Sequence, residues 1–107
     1  MAVEKNKPKW KVDLSHSANR QMKKLPSAAR DEFLILIGDM EADGPYQKEW
    51  HKYGPLKKDK RIPDDAHHCH FKSGKPTYVA CWRIVNKKNK TIEVFYVGTH
   101  ENTPYKS

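Results

Sequence analysis

The sequence predicts an α+β domain in which a helical hairpin packs on one face of a small, mainly antiparallel sheet, in the order β-α-α-β-β-β. Three observations carry this. Residues 9–14 alternate apolar and polar side chains. Residues 15–43 place apolar side chains at helical spacing, interrupted at Pro26. Residues 67–98 return to extended runs separated by two polar turns. With 107 residues, the chain is expected to form one domain over 1–107.

In residues 9–14, Trp10, Val12 and Leu14 share one side and Lys9, Lys11 and Asp13 the other, as in a strand with one wet face. Ser15 or Ser17 can cap a short helix bearing Ala18, Met22 and Leu25, which Pro26 stops. Ser27 is expected to cap a second helix with an apolar stripe of Ala29, Phe33, Leu36, Ile37 and Met40, ended by Asp43, Gly44 and Pro45. The two helices should form an antiparallel hairpin. Residues 44–66 form a long connection, with Trp50, Tyr53 and Leu56 as anchors and a basic knot of Lys57, Lys58, Lys60 and Arg61. Such long loops are often functional. Runs 67–72 and 77–85 flank the turn Ser73-Gly74-Lys75-Pro76. A second turn over 86–90 leads to a last strand over 92–98 and a tail over 99–107.

Composition limits what the chain can do. Lys plus Arg is 21 against 13 Asp plus Glu, for a net charge of +8. Residues 1–25 carry seven cations and two anions, residues 26–45 one and five, and residues 46–107 thirteen and six. A basic body with one acidic segment suggests a polyanion partner, most plausibly nucleic acid. No apolar run is long enough to span a bilayer, so no membrane association is expected. No apolar stretch follows Lys5, Lys7 and Lys9 to make an export signal. With only Cys69 and Cys81, the expected location is the reducing cytoplasm.

If residues 72 and 76 pair across the first turn, His70 faces Tyr78 and His68 faces Ala80. One face then shows His68, His70, Lys72, Tyr78 and Trp82, and the core side shows Cys69, Phe71, Val79 and Cys81. Cations interleaved with rings suit single-stranded RNA, although a one-residue slip would scramble the set. Trp82 serves packing more readily than stacking. His67-His68-Cys69-His70 contains zinc-ligating residue types, but Cys69 faces away from the histidines and no second cluster exists. No metal or other cofactor is expected. The two cysteines read as buried free thiols.

The segments KWKVDLS, DMEADGP, WHKYGPLKK, HHCHFKSGKPTYVACW and VFYVGTHENTPY span nearly the whole chain, and together they resemble the RelE/ParE toxin superfamily. The closest likeness is to the RelE-type translational toxins of toxin–antitoxin systems. The resemblance implies a RelE-like fold and an mRNA endoribonuclease (an mRNA interferase) that cuts in the ribosomal A site without a metal and so inhibits translation. The attacking group is the RNA's own 2′-OH, and the product is a 2′,3′-cyclic phosphate. The implied partners are a cognate antitoxin, the ribosome and mRNA. RelE-type toxins carry alternating basic residues on the second strand, here His68, His70 and Lys72. A further cation follows the next turn, here Lys75. A basic residue after the last strand corresponds to His100, and a later tyrosine to Tyr105. Histidines stand here where the best-known members have lysines, and His100 where many have arginine.

Cleavage by a 2′-OH needs a base, cations for the charged phosphorane and an acid for the leaving 5′-oxygen. Imidazole populates both protonation states near neutrality, whereas lysine and tyrosine start protonated. The base and acid are therefore assigned to His100 and one of His68 or His70, in either order. Lys72 and Lys75 clamp the phosphate, and Tyr105 stacks on a base or hydrogen-bonds the phosphate. Tyr78 lines the groove, and Lys57, Lys58, Lys60 and Arg61 meet rRNA phosphates. The alternatives are a ParE-like toxin that inhibits gyrase, a non-catalytic RNA-binding module, and a toxin that has lost its activity.

Overall fold

The computed structural model describes residues 9–57 and 59–104. Strand β1 (Lys11–Leu14) leads into helix α1 (His16–Lys23) and helix α2 (Ser27–Asp43). Strands β2 (Gly54–Pro55), β3 (Ala66–Lys72), β4 (Tyr78–Asn86) and β5 (Thr91–Thr99) follow, and a 3-10 turn spans His100–Asn102. The five strands form one sheet in the order β1-β5-β4-β3-β2. Only the β1–β5 pair is parallel. The expected α+β architecture is present, with the two-residue β2 as an added edge inside the long connection.

The Ser15 hydroxyl accepts from the Ala18 N–H at 3.0 Å and caps α1. Ser27 does not cap α2. It is the first helical residue, and Pro26 stands in the cap position without a side-chain bond, its fixed φ suiting the entry. The α2 stripe of Ala29, Phe33, Leu36 and Met40 is fully buried, while Leu34 and Ile35 beside it are 51% and 53% exposed. Rather than packing chiefly on each other, α1 lies against β5 and β1, and α2 against β3 and β1. Gly44 ends α2 with φ +94, a left-handed-side conformation that favours glycine, and a Cβ there would meet the Trp10 indole nitrogen at 2.9 Å.

The β3–β4 register differs from the expected one by a residue. His68 pairs with Cys81 and His70 with Val79, an irregularity lies between His70 and Lys72, and Lys72 pairs with Tyr78. The faces of β4 are therefore exchanged relative to the expectation. Trp82 and Ala80 join Cys69 and Phe71 in the main core under the helices. Val79 and Cys81 lie on the histidine side, in a small second cluster with Tyr96 and, partly buried, Leu56 and Phe95. Trp82 donates its indole N–H to the Pro45 carbonyl at 3.0 Å, tying the long connection to the core. Tyr78 also packs on the helix side, its ring stacked 6.1 Å from Phe71, so the expectation of Tyr78 and Trp82 in the histidine groove is corrected. The physical reason is that β4 is apolar on both faces, so its sequence does not say which side meets the helices.

Both cysteines are buried free thiols on opposite faces of the sheet, not on one face as expected. Burial pushes the Cys69 thiol up to about 12 and raises Cys81 further still. Among the described residues, no helix is long and apolar enough to cross a membrane.

Candidate functional site

Alternation along β3 puts His67 and Cys69 on the helix side and half-exposes His68 and His70 on the other. His67 is structural. It is buried, stacks 6.2 Å from Trp82 and 5.7 Å from Tyr53, and shares a 2.8 Å hydrogen bond between Nδ1 and the Tyr53 hydroxyl. His68 donates from Nδ1 to the Gly54 carbonyl at 3.0 Å. A carbonyl can only accept, so this bond fixes Nδ1 as a protonated nitrogen. The short β2 thus aims an imidazole as well as protecting a sheet edge.

His100 reaches the same place from the far end of the sheet. It follows β5 directly, and its N–H donates to the Thr77 carbonyl at 2.8 Å. Just before it, the Tyr96 hydroxyl donates to the Thr99 carbonyl at 2.7 Å. That hydroxyl lies 2.7 Å from where a Cβ on Gly98 would stand, so the glycine makes room for the bond. The Thr103 hydroxyl donates to the His100 carbonyl at 3.1 Å. The backbone of His100 is therefore held on both sides.

These supports bring the rings of His70 and His100 to 5.1 Å, at an interplanar angle of 66°. His68 lies 6.4 Å from His70 on one side, and the ring of His51, from the long connection, 5.9 Å away on another. His70 and His100 open onto a cleft of about 700 Å³ lined also by Gly74, Lys75, Pro76, Thr77 and Glu101. Burial, followed by the positive charges of His100, His68, His51 and Lys52, holds the His70 pKa below the ordinary imidazole value. Burial lowers His68 as well, the Gly54 hydrogen bond opposes this, and His100 adds to it.

Of the site residues expected from sequence, His68, His70, His100 and Lys75 come together. Lys72 is half-buried at the end of β3, beyond the irregularity and paired with Tyr78. Lys57, Lys60 and Arg61 sit on the exposed turn after β2 and do not line the cleft. Arg61 is paired with Asp59 at 3.6 Å. Lys58 and Tyr105 lie outside the described residues. Sequence reasoning missed His51 and Lys52 as neighbours of His70, and Tyr96 and Gly98 as supports of His100. The Val97-Gly98 pair after an aromatic strand was the one available signal for the latter. No group of three or more His, Cys, Asp or Glu side chains among the described residues is arranged to hold a metal ion.

No protein-family model and no curated protein sequence matches the chain significantly. Solved structures do. A chain of the archaeal RelE–RelB complex from Pyrococcus horikoshii OT3 superposes with a TM-score of 0.61 at 18% identity, over 88% of this chain and 98% of that one. A chain of the intact E. coli RelBE toxin–antitoxin complex gives 0.61 at 16% identity, covering 87% and 99%. A chain of the Mycobacterium tuberculosis RelBE2 toxin–antitoxin complex gives 0.59 at 19% identity, covering 87% and 99%. The chain thus has the fold of the RelE toxins, two helices packed on a five-stranded mixed sheet.

Proposed function

We propose that this protein is the toxin of a toxin–antitoxin pair and an endoribonuclease that cuts mRNA, on the ribosome, by attack of the RNA's own 2′-OH. The observation that carries the reading is the pair of half-buried imidazoles, His70 and His100, 5.1 Å apart at the mouth of an open cleft beside Lys75. The fold shared with toxins crystallised in RelE–RelB complexes supports the biological setting and a protein antitoxin as partner.

His70, kept neutral by burial and by the surrounding cations, takes the proton from the 2′-hydroxyl. The 2′-oxygen then bonds to phosphorus, and Lys75, which lines the cleft, offsets the charge that builds on the phosphorane. The bond to the 5′-oxygen breaks as His100 donates a proton to it, leaving a 2′,3′-cyclic phosphate and a 5′-hydroxyl. His68 holds the flank of His70 and can substitute for it as base. Tyr105 stacks on a base, and the Lys57 to Arg61 run meets rRNA phosphates.

The test is purified protein on ribosomes programmed with a defined mRNA, with product ends mapped and the 3′ terminus analysed. Cleavage in the A-site codon with a cyclic phosphate is expected. Intact mRNA together with inhibited DNA supercoiling would move the protein to the gyrase-directed class. Binding without cleavage would make it a non-catalytic module.

A further inference from the structure

The long connection contributes a part of the site that the histidine pair does not explain. The N–H of His70 donates to the His51 carbonyl at 2.8 Å, so residue 51 is stitched to β3 beside the imidazole pair. The His51 ring meets His70 edge-on at 5.9 Å. The next residue, Lys52, is exposed and sits at φ +57, a left-handed conformation that costs a non-glycine residue stability. Such strain gathers at functional sites. Among the described residues, Lys52, His51, His68 and His100 are each near enough for a positive charge on them to act on His70. One carboxylate, Glu101, lines the cleft at the His100 side. Cations gathered against one another need an anion between or beside them to offset their repulsion.

We infer that Lys52, with His51, forms a second phosphate subsite, which holds the RNA phosphate flanking the cut. The inference rests on the endoribonuclease reading. The order of the groups decides which phosphate is meant. The scissile phosphate belongs between His70 and His100, and His51 stands one ring further out, with Lys52 beyond it in sequence. His51 and Lys52 lie beside the cleft rather than in its lining, so a chain that passes from the cleft over His51 would present there the phosphodiester next along the strand. Lys52 therefore acts in substrate binding rather than in proton transfer.

The test is single-turnover cleavage on programmed ribosomes with Lys52→Gly and Lys52→Arg, varying protein concentration and salt. Glycine relieves the left-handed strain while removing the charge. Lys52→Gly should melt at or above the wild-type temperature, yet raise the half-saturating concentration about tenfold, the scale of one charge-assisted contact. It should also flatten the salt dependence by about one unit of log–log slope. The saturating rate should stay within about threefold, as expected of a group outside the proton transfers. Lys52→Arg should bind as the wild type does. If Lys52→Gly cleaves with unchanged half-saturation and slope while the wild type is active, the subsite is wrong and the endoribonuclease reading stands. If the saturating rate alone falls, Lys52 acts on the chemistry and the flanking assignment is overturned. A wild-type protein that does not cleave overturns both.

Discussion

The imidazoles of His70 and His100 stand 5.1 Å apart although one lies on β3 and the other follows the last strand. Neither is held by the other. His70 is held through its N–H by the His51 carbonyl, and His100 through its N–H by the Thr77 carbonyl. Each ring can therefore change protonation without unlocking its own backbone, as two-step proton transfer requires. Both are half-buried: enough to lower the His70 pKa, and open enough to admit a phosphodiester.

Replacing either ring should remove a proton-transfer step. His70→Ala and His100→Ala should each lower the single-turnover rate by about 100- to 10,000-fold. The double variant should lose less than the product of the two, because groups that act as a unit are not additive. Losses under about threefold in either single variant would take that residue out of the chemistry. Circular dichroism on the same samples checks that the fold is kept.

Trp82 is fully buried and its N–H satisfies the Pro45 carbonyl. Trp82→Ala should cost about 3–5 kcal/mol in urea unfolding. Trp82→Phe should cost about 1–3 kcal/mol, mainly by leaving that buried carbonyl without its donor. Val85, 45% exposed, provides the contrast. Val85→Thr should change stability by less than about 0.5 kcal/mol.

Much of this fold was legible because periodicity reports one-sided burial. The stripe on α2, the alternation of β1 and the β3 run each bury one side, and each was read correctly. β4 was misread because it buries both, so Tyr78 and Trp82 were given to the groove when the helices needed them. The imidazoles of β3 and His100 were legible as residue types, but their meeting was legible only through the resemblance, because no spacing encodes a contact across a sheet end. His51 and Lys52 were hidden for the same reason, in a connection whose path depends on Trp82 gripping Pro45 and on the Trp50 indole donating to Asp39 at 2.8 Å.

Stability should fall on mild acidification. His67, His68 and His70 all have folded-state pKa values below 6.5, each chiefly through burial. In the window between those depressed values and 6.5 the unfolded chain binds more protons than the folded one, so unfolding becomes easier as pH drops. The contribution is complete above about pH 6.5 and is lost as pH falls through the folded-state values. Urea midpoints should therefore decrease from pH 7.5 to 5.5, and His68→Gln, which retains a donor for the Gly54 carbonyl, should make that decrease smaller. A flat or rising midpoint over the same interval would contradict the assignment.

The support beneath His100 gives the sharpest separation of position from fold. A methyl on Gly98 would lie 2.7 Å from the Tyr96 hydroxyl and 3.1 Å from its ring carbon Cζ. The ring must shift, and the hydroxyl then loses the Thr99 carbonyl that fixes the strand end one residue before His100. Gly98→Ala should lower the saturating cleavage rate by about 10- to 100-fold, the scale on which a misplacement of about 1 Å acts. Tyr96→Phe removes the hydrogen bond without the clash and should have the smaller effect. In Gly98→Ala/Tyr96→Phe the closest contact is gone and only the 3.1 Å approach to the ring remains. The double variant should therefore cleave faster than Gly98→Ala alone, a recovery that a general loss of folding would not produce. Equal rates for the single and double variants would mean that the Tyr96 hydroxyl does not position His100.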